Sequence, residues 1–282
     1  MAEPLEQHLE EVLGATVTGK HEVSGGDICC AWRVSLSDGR TVFAKEHPSA
    51  GPMFEAEAFG LEWLAEANAL RTPTVLHASW RALVLEFIEV GPADASSAEW
   101  LGRGLAQLHA HAPASFGLQQ QGVIATLPQD NASLPDWPTF YGARRLAPML
   151  ALCIKRGRLP AETHNDLEAL LRVLPDRLGP PEPPARLHGD LWSGNVMTDH
   201  RGAPVLVDPA VYGGHREVDL AMMRLFGGFS PATFAAYEEV TPLAAGHQDR
   251  VELLQLYPVL VHTALFGGHY GSTARRTITR YA

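Results

Sequence analysis

Cysteine is nearly missing from the chain, which carries three: Cys29, Cys30 and Cys153. Neighbours such as Cys29 and Cys30 in a strand point to opposite faces and do not bridge. Three cysteines also exclude a disulfide framework and a four-cysteine zinc site. Basic residues are sparse too, with 22 Lys and Arg against 32 Asp and Glu for a formal net charge of -10. Nucleic acid demands a basic face for its phosphates, so it is excluded as a partner, and a cationic or neutral partner fits better. No long hydrophobic run is present: the most apolar late stretch, LLQLYPVLVHTALFGG, is short and interrupted by Pro258 and His262, which argues against membrane insertion. The opening MAEPLEQHLEEVLG is acidic and amphipathic, without the basic and apolar regions of a signal peptide, and reads as a helix. A soluble, cytoplasmic protein of unknown oligomeric state is the expectation. Repeats and low-complexity tracts are lacking, and only proline-rich GPPEPPARL (179–187) reads as a rigid loop.

What is present is globular: 46% hydrophobic and 19% charged residues over 282 positions, enough for one large domain or two lobes. VTGKHEV, ICCAWRVSL and RTVFAKE predict a three-stranded meander between the SGGD and SDGR turns. MFEAEAFGLEWLAEANAL places Phe54, Ala58, Leu61 and Leu64 at helical spacing, and TVLHASW and ALVLEFIEV follow as strands. Both Cys29 and Cys30 read as buried strand residues. From Ser96 onward helical patterns dominate, in SSAEWLGRGLAQLHAHA, DLEALLRVLPDRL and DRVELLQLYPVLVHTALF. The pattern predicts an α+β protein of two lobes. Residues 1–89 form a small five-stranded lobe with one helix, and residues 90–282 form a larger, mainly helical lobe. The hinge falls near Glu86 to Gly91.

The chemistry concentrates in HGDLWSGNVMTDHRGAPVLVDPA (188–210). One reading is a hairpin with polar loop ends, because Asp, Asn and Gly are ordinary turn formers. The other rests on the spacing of His188, Asp190 and Asn195, the H-x-D-x-x-x-x-N pattern of phosphoryl transfer. There the aspartate accepts a hydroxyl proton and the asparagine reaches a magnesium ion. Asp208, after the apolar run VLV, would be the second metal ligand, and magnesium suits such carboxylate and amide oxygens joined by nucleotide phosphates. Lys45 in the third strand and Glu57 on the following helix match the pair that aims an ammonium at ATP phosphates. Glu55 and Glu62 share that helix, so Glu57 is a provisional choice. Five polar positions in the right order favour phosphoryl transfer over the hairpin, within a bilobal protein-kinase-like fold. Gly25 and Gly26 precede the second strand, where a phosphate cover would lie, although a plain turn would look the same and G-x-G-x-x-G is lacking. Backbone around Leu85, Glu86, Phe87 and Ile88 falls where a hinge would read adenine. His109 and His111 are two apart on a helix and cannot jointly hold a metal.

HGDLWSGN followed by DPAVYGGHREVDLAM (208–222), with FEAEAFGL, QLHAHAPASFGL and LFGGHYG, resembles the fructosamine-kinase, or ketosamine-3-kinase, family over nearly the whole chain. The H-G-D core is shared with aminoglycoside phosphotransferases and choline kinases, whereas Trp192 and Y-G-G-H-R-E-V-D-L discriminate. The resemblance implies an ATP- and Mg²⁺-dependent kinase for the 3-hydroxyl of a ketosamine, either a small molecule or a glycated protein lysine. The modified amine is thereby deglycated. It implies Asp190 as the base, Trp192 as an apolar platform for the sugar (a core residue under the loop being the other reading), Asp219 as a brace and His188 as scaffold. The rival readings are a kinase for an aminoglycoside or choline-like amino alcohol, and a nucleotide-binding pseudokinase, whose usual mark is a missing lysine or aspartate.

Overall fold

The computed structural model describes residues 5–23, 29–47 and 51–282. Helix α1 (Leu5–Leu13) leads into strands β1 (Val17–Glu22), β2 (Cys30–Leu36) and β3 (Thr41–Glu46), the expected antiparallel meander. Helix α2 (Met53–Ala65), β4 (Val75–Ala78) and β5 (Ala82–Glu86) complete a sheet of order β1-β2-β3-β5-β4. Alternation along the strands sends side chains to two faces. Val42, Ala44, Ala82 and Val84 pack with Leu5 and Leu9 of α1, while Leu83 and Leu85 pack with Phe54, Ala58 and Leu61 of α2. The sheet is therefore covered by two helices where the sequence pattern counted one.

Three local expectations need correction. Cys29 is only half-buried, and Cys30, whose partner in the ladder is Glu46 at the end of β3, is exposed. Cys29 packs only on the margin of the Phe54–Leu61 cluster under α2, and Cys30 opens β2 at the edge of the ladder, so neither thiol is a core group. Helix α2 stops at Ala65, short of the apolar pattern's end at Leu70, because Asn68 adopts a left-handed turn (φ 50°) that asparagine tolerates.

The larger part begins with α3 (Ala95–Ala110), whose first turn is capped by Asp94 accepting from the Ser97 amide at 2.9 Å. There follow β6 (Gly122–Ile124), β7 (Leu127–Gln129), α4 (Trp137–Phe140), α5 (Ala147–Lys155) and α6 (Thr163–Arg177). Short strands β8 (Ala185–Leu187), β9 (Val196–Thr198), β10 (Pro204–Leu206) and β11 (Tyr212–Gly214) come next, β8 pairing with β11 and β9 with β10. Helices α7 (Glu217–Leu225), α8 (Pro231–Val240), α9 (His247–Leu254), α10 (Leu256–Phe266) and α11 (His269–Tyr281) close the chain.

The third correction is that the single helix expected over 249–266 is two, broken at Gln255. Pro258 has no amide hydrogen to give to the Leu254 carbonyl. The Tyr141 hydroxyl donates there instead, lying 2.8 Å from the Leu253 carbonyl and 3.2 Å from that of Leu254. A core of Trp63, Leu64, Leu70, Leu101, Leu105, Leu220 and Met223 joins the end of α2 to α3 and α7. That seam fixes α2, and hence Glu57, against the helical part. Among the described residues no helix is long and apolar enough to cross a membrane.

Candidate active site

Strand β8 delivers His188, Gly189 and Asp190 into a turn, and the β9–β10 hairpin returns the chain to Asp208. Gly189 adopts φ 83°, and a Cβ there would lie 2.0 Å from the Ala210 carbonyl oxygen, so no other residue fits between histidine and aspartate. The turn is held from beneath by Asp219 of α7, fully buried, whose carboxylate accepts from the amides of His188 at 2.8 Å and Gly189 at 2.9 Å. His109 lies with Nε2 3.2 Å from the same carboxylate and Nδ1 2.8 Å from the Tyr237 hydroxyl. Burial pushes Asp219 up, but the hydrogen bonds and charges of its partners outweigh it and keep its carboxyl below the usual range. His188 is buried, its Nε2–H donating to the Val207 carbonyl at 2.9 Å and its Nδ1 accepting from the Asp190 amide at 3.3 Å. Desolvation lowers its pKa, so this ring is a neutral strut with both nitrogens occupied.

On that frame the polar residues converge. Asn195 is buried, and its Nδ2 donates to the Asp190 carbonyl at 2.9 Å and lies 3.3 Å from Asp190 Oδ2 and from the Asp208 carbonyl. With its donor end committed, the amide oxygen is the free end. Asp208 is held at φ 52°, a costly conformation for a residue with a side chain, which turns its carboxylate into the cluster. Lys45 Nζ donates to Glu57 at 2.7 Å and also pairs with Asp208. Burial opposes charge on Lys45, but Glu57 and Asp208 more than compensate, so its ammonium is held well above its ordinary pKa. Burial likewise pushes Asp208 up, and the Lys45 charge pulls it below the usual range. Asp190 is the exception. Desolvation, then the charges of Asp208 and Asp219, push it up from 3.8 to about 7 against the Asn195 hydrogen bond.

The provisional choice on α2 is resolved geometrically: Glu57 reaches Lys45, while Glu55 and Glu62 line an outer cleft with His77 and Leu76. Glu86 ends β5 opposite Val42, three residues before Lys45, or about 10 Å along the strand. Its carboxylate pairs with Arg71, which also binds Asp199 at 2.8 Å. Phe87 follows with the Arg33 guanidinium 5.1 Å from its ring centre, and Ile88 is buried. Gly25 and Gly26 lie outside the described residues. Trp192 is 39% exposed and edge-on to Phe226, so it is not a core residue under the loop. Asn195 and Asp208 supply the oxygen donors that suit magnesium. Among the described residues no group of three or more His, Cys, Asp or Glu could hold a metal, so an ion here would need nucleotide phosphates to complete its shell. Sequence reasoning missed His109, set aside as a metal ligand but placed beneath the His188–Asp190 turn through Asp219; its position on the inward face of α3 was the available signal.

The chain matches the family described as Fructosamine kinase over residues 1–282. It is 39% identical over 268 residues to a protein of Synechocystis sp. named a probable ketoamine kinase, covering 92% of this chain and 88% of that one. It is 36% identical to the chloroplastic protein-ribulosamine 3-kinase of Arabidopsis thaliana, covering 97% and 85%. A crystal structure from Thermobifida fusca, titled as a candidate fructosamine-3-kinase, superposes with TM-score 0.90 at 38% identity, over 99% of this chain and 98% of that one. With a whole-chain match and relatives at this identity, the chain belongs to the fructosamine kinase family.

Proposed function

We propose that the protein transfers the γ-phosphoryl group of ATP to the 3-hydroxyl of a ketosamine. The observation that carries this reading is a carboxyl raised to about 7, Asp190, standing between a phosphate-type cluster (Lys45, Glu57, Asn195, Asp208) and the exposed indole of Trp192. A base poised near neutral pH can take the hydroxyl proton without being too weak to hold it. As O3 forms its bond to the γ-phosphorus, the bond to the β-phosphate oxygen breaks and ADP leaves. Lys45, fixed by Glu57, would lie along the α and β phosphates, as its raised pKa keeps it cationic. The backbone of Glu86, Phe87 and Ile88 would read adenine, and Gly25 and Gly26 would cover the phosphates. Asn195 and Asp208 would hold a magnesium ion, which would supply positive charge to neutralise the transferring group.

Trp192 would offer its face to the sugar carbons. The 3-phosphate so formed is a good leaving group; its elimination breaks the C3–O bond and leaves the nitrogen on C1 as an imine, which water hydrolyses to free the amine. In this reading residues 1–89 serve the nucleotide and 90–282 the acceptor, and the protein works in the cytoplasm. The choline and aminoglycoside readings are not favoured by the relatives, and a pseudokinase would lack one of the five polar residues, all of which are here. ADP release measured with Mg·ATP against a panel of ketosamines, choline and aminoglycosides tests the reading. A ketosamine should exceed the others in kcat/KM by tenfold or more; greatest activity on an aminoglycoside would overturn it.

A further inference from the structure

From Trp192 a connected strip of rings runs on to side chains that the proposed chemistry does not use. Trp192 meets Phe226 with centroids 6.2 Å apart, Phe226 meets His262 at 5.1 Å, and His262 meets Phe266 at 5.7 Å and Tyr270 at 5.0 Å. Among the described residues eight large apolar side chains are exposed, and three of them, Trp192, Phe226 (42%) and Phe266 (57%), lie in this one strip. Scattered exposed rings need no explanation, but a contiguous row that begins two residues from Asp190 does. The row is also fixed in place. Gly228, two residues past Phe226, sits so close to the catalytic turn that a Cβ there would lie 2.5 Å from Ser193 Oγ. Phe226 and Phe266 each stand at the end of a helix, α7 and α10.

We propose that Phe226 and Phe266 read the amine arm of the ketosamine, selecting substrates whose nitrogen carries a long aliphatic stem, such as a lysine within a peptide. This rests on the ketosamine reading above. With the sugar over Trp192 and its 3-hydroxyl at Asp190, a substituent on nitrogen that follows the rings in contact with Trp192 runs over Phe226 and on to Phe266. A lysine stem buries methylene groups on rings while its protonated secondary amine faces π-electron density. His262 bridges the two phenylalanines without adding charge: its Nδ1–H donates to the Pro258 carbonyl at 2.8 Å, and burial outweighs that bond to hold its pKa below the ordinary value. A chain of net charge -10 also repels acidic arms.

The test compares KM for two fructosamine adducts, one on methylamine and one on the lysine of a neutral pentapeptide, in wild type, Phe226→Ala and Phe266→Ala. Wild type should favour the peptide adduct, and each variant should raise its KM about tenfold, equivalent to about 1.4 kcal/mol. kcat should hold, and the methylamine adduct should change far less. Equal changes on both adducts, or none, overturn the proposal while leaving the ketosamine reading intact. No turnover of either adduct by wild type overturns both. Both rings are exposed, and melting temperatures within a degree or two of wild type would exclude misfolding as the cause.

Discussion

Replacing Asp190 with asparagine should leave the protein more stable and nearly inactive. The Asp190 carboxyl is pushed from 3.8 to about 7 because burial and the charges of Asp208 and Asp219 penalise its ionised form. The folded protein therefore holds this proton up to about pH 7, while the unfolded chain releases it near 3.8. Between those values the folded state binds more protons, so stability falls as pH rises through the window and the full cost is felt above about pH 7. Each pKa unit is worth about 1.4 kcal/mol. Asp190 keeps an edge in solvent, and screening reduces the cost to on the order of 1 to 2 kcal/mol. Asparagine carries no charge, and its side-chain oxygen can still accept from Asn195. The variant should thus melt roughly 2 to 5 °C above wild type at pH 8 in EDTA without nucleotide, with the advantage shrinking at pH 5. Turnover should fall by roughly 10²-fold or more. Calorimetry of both proteins across pH 5 to 8 checks this. A variant that melts lower than wild type, or gains equally at every pH, refutes the electrostatic account of the site.

Asp208→Ala should abolish most of the extra thermal stabilisation that ATP gives with Mg²⁺ over EDTA; at ~100 times the dissociation constant that stabilisation is about 2.7 kcal/mol, and a shift equal to wild type would place the metal elsewhere. Trp192→Ala should raise ketosamine KM by roughly tenfold with little loss of melting temperature, because the indole is substantially exposed; parallel loss of stability and ATP hydrolysis would assign the ring a packing role. Asp219→Ala should cost about 3 kcal/mol or more, since it strands the amides of His188 and Gly189 and the ring of His109; a near-neutral denaturation midpoint would show that the catalytic turn does not depend on it.

Much of this was legible because it is local. Strand β2 alternates with period two, β5 is a continuous apolar run buried on both faces, and the spacing from His188 to Asn195 is fixed by a single turn whose glycine is visible in the sequence. Lys45 and Asp208 were legible by position within strand-like runs, although only the fold could choose Glu57 over Glu55 and Glu62. Less legible were contacts between distant segments. His109 meets Asp219 across 110 residues, and the aromatic strip draws on the catalytic turn, the end of α7 and the α10–α11 corner. The break at Gln255 was marked by Pro258, but what makes it tolerable, the Tyr141 hydroxyl, comes from more than a hundred residues away. Cys30 shares the α1 face of the sheet with Trp32, Val34 and Leu36, and its exposure depends on how far α1 reaches along that face, which helical periodicity does not reveal.

Phosphorus NMR of the protein with Mg·ATP and a fructosamine tests the central claim most directly. The account predicts a new phosphomonoester resonance coupled to the proton on the third sugar carbon, which decays as free amine appears, and which Asp190→Asn fails to form. A phosphate coupled to any other carbon, or inorganic phosphate alone with the sugar amine intact, would contradict it.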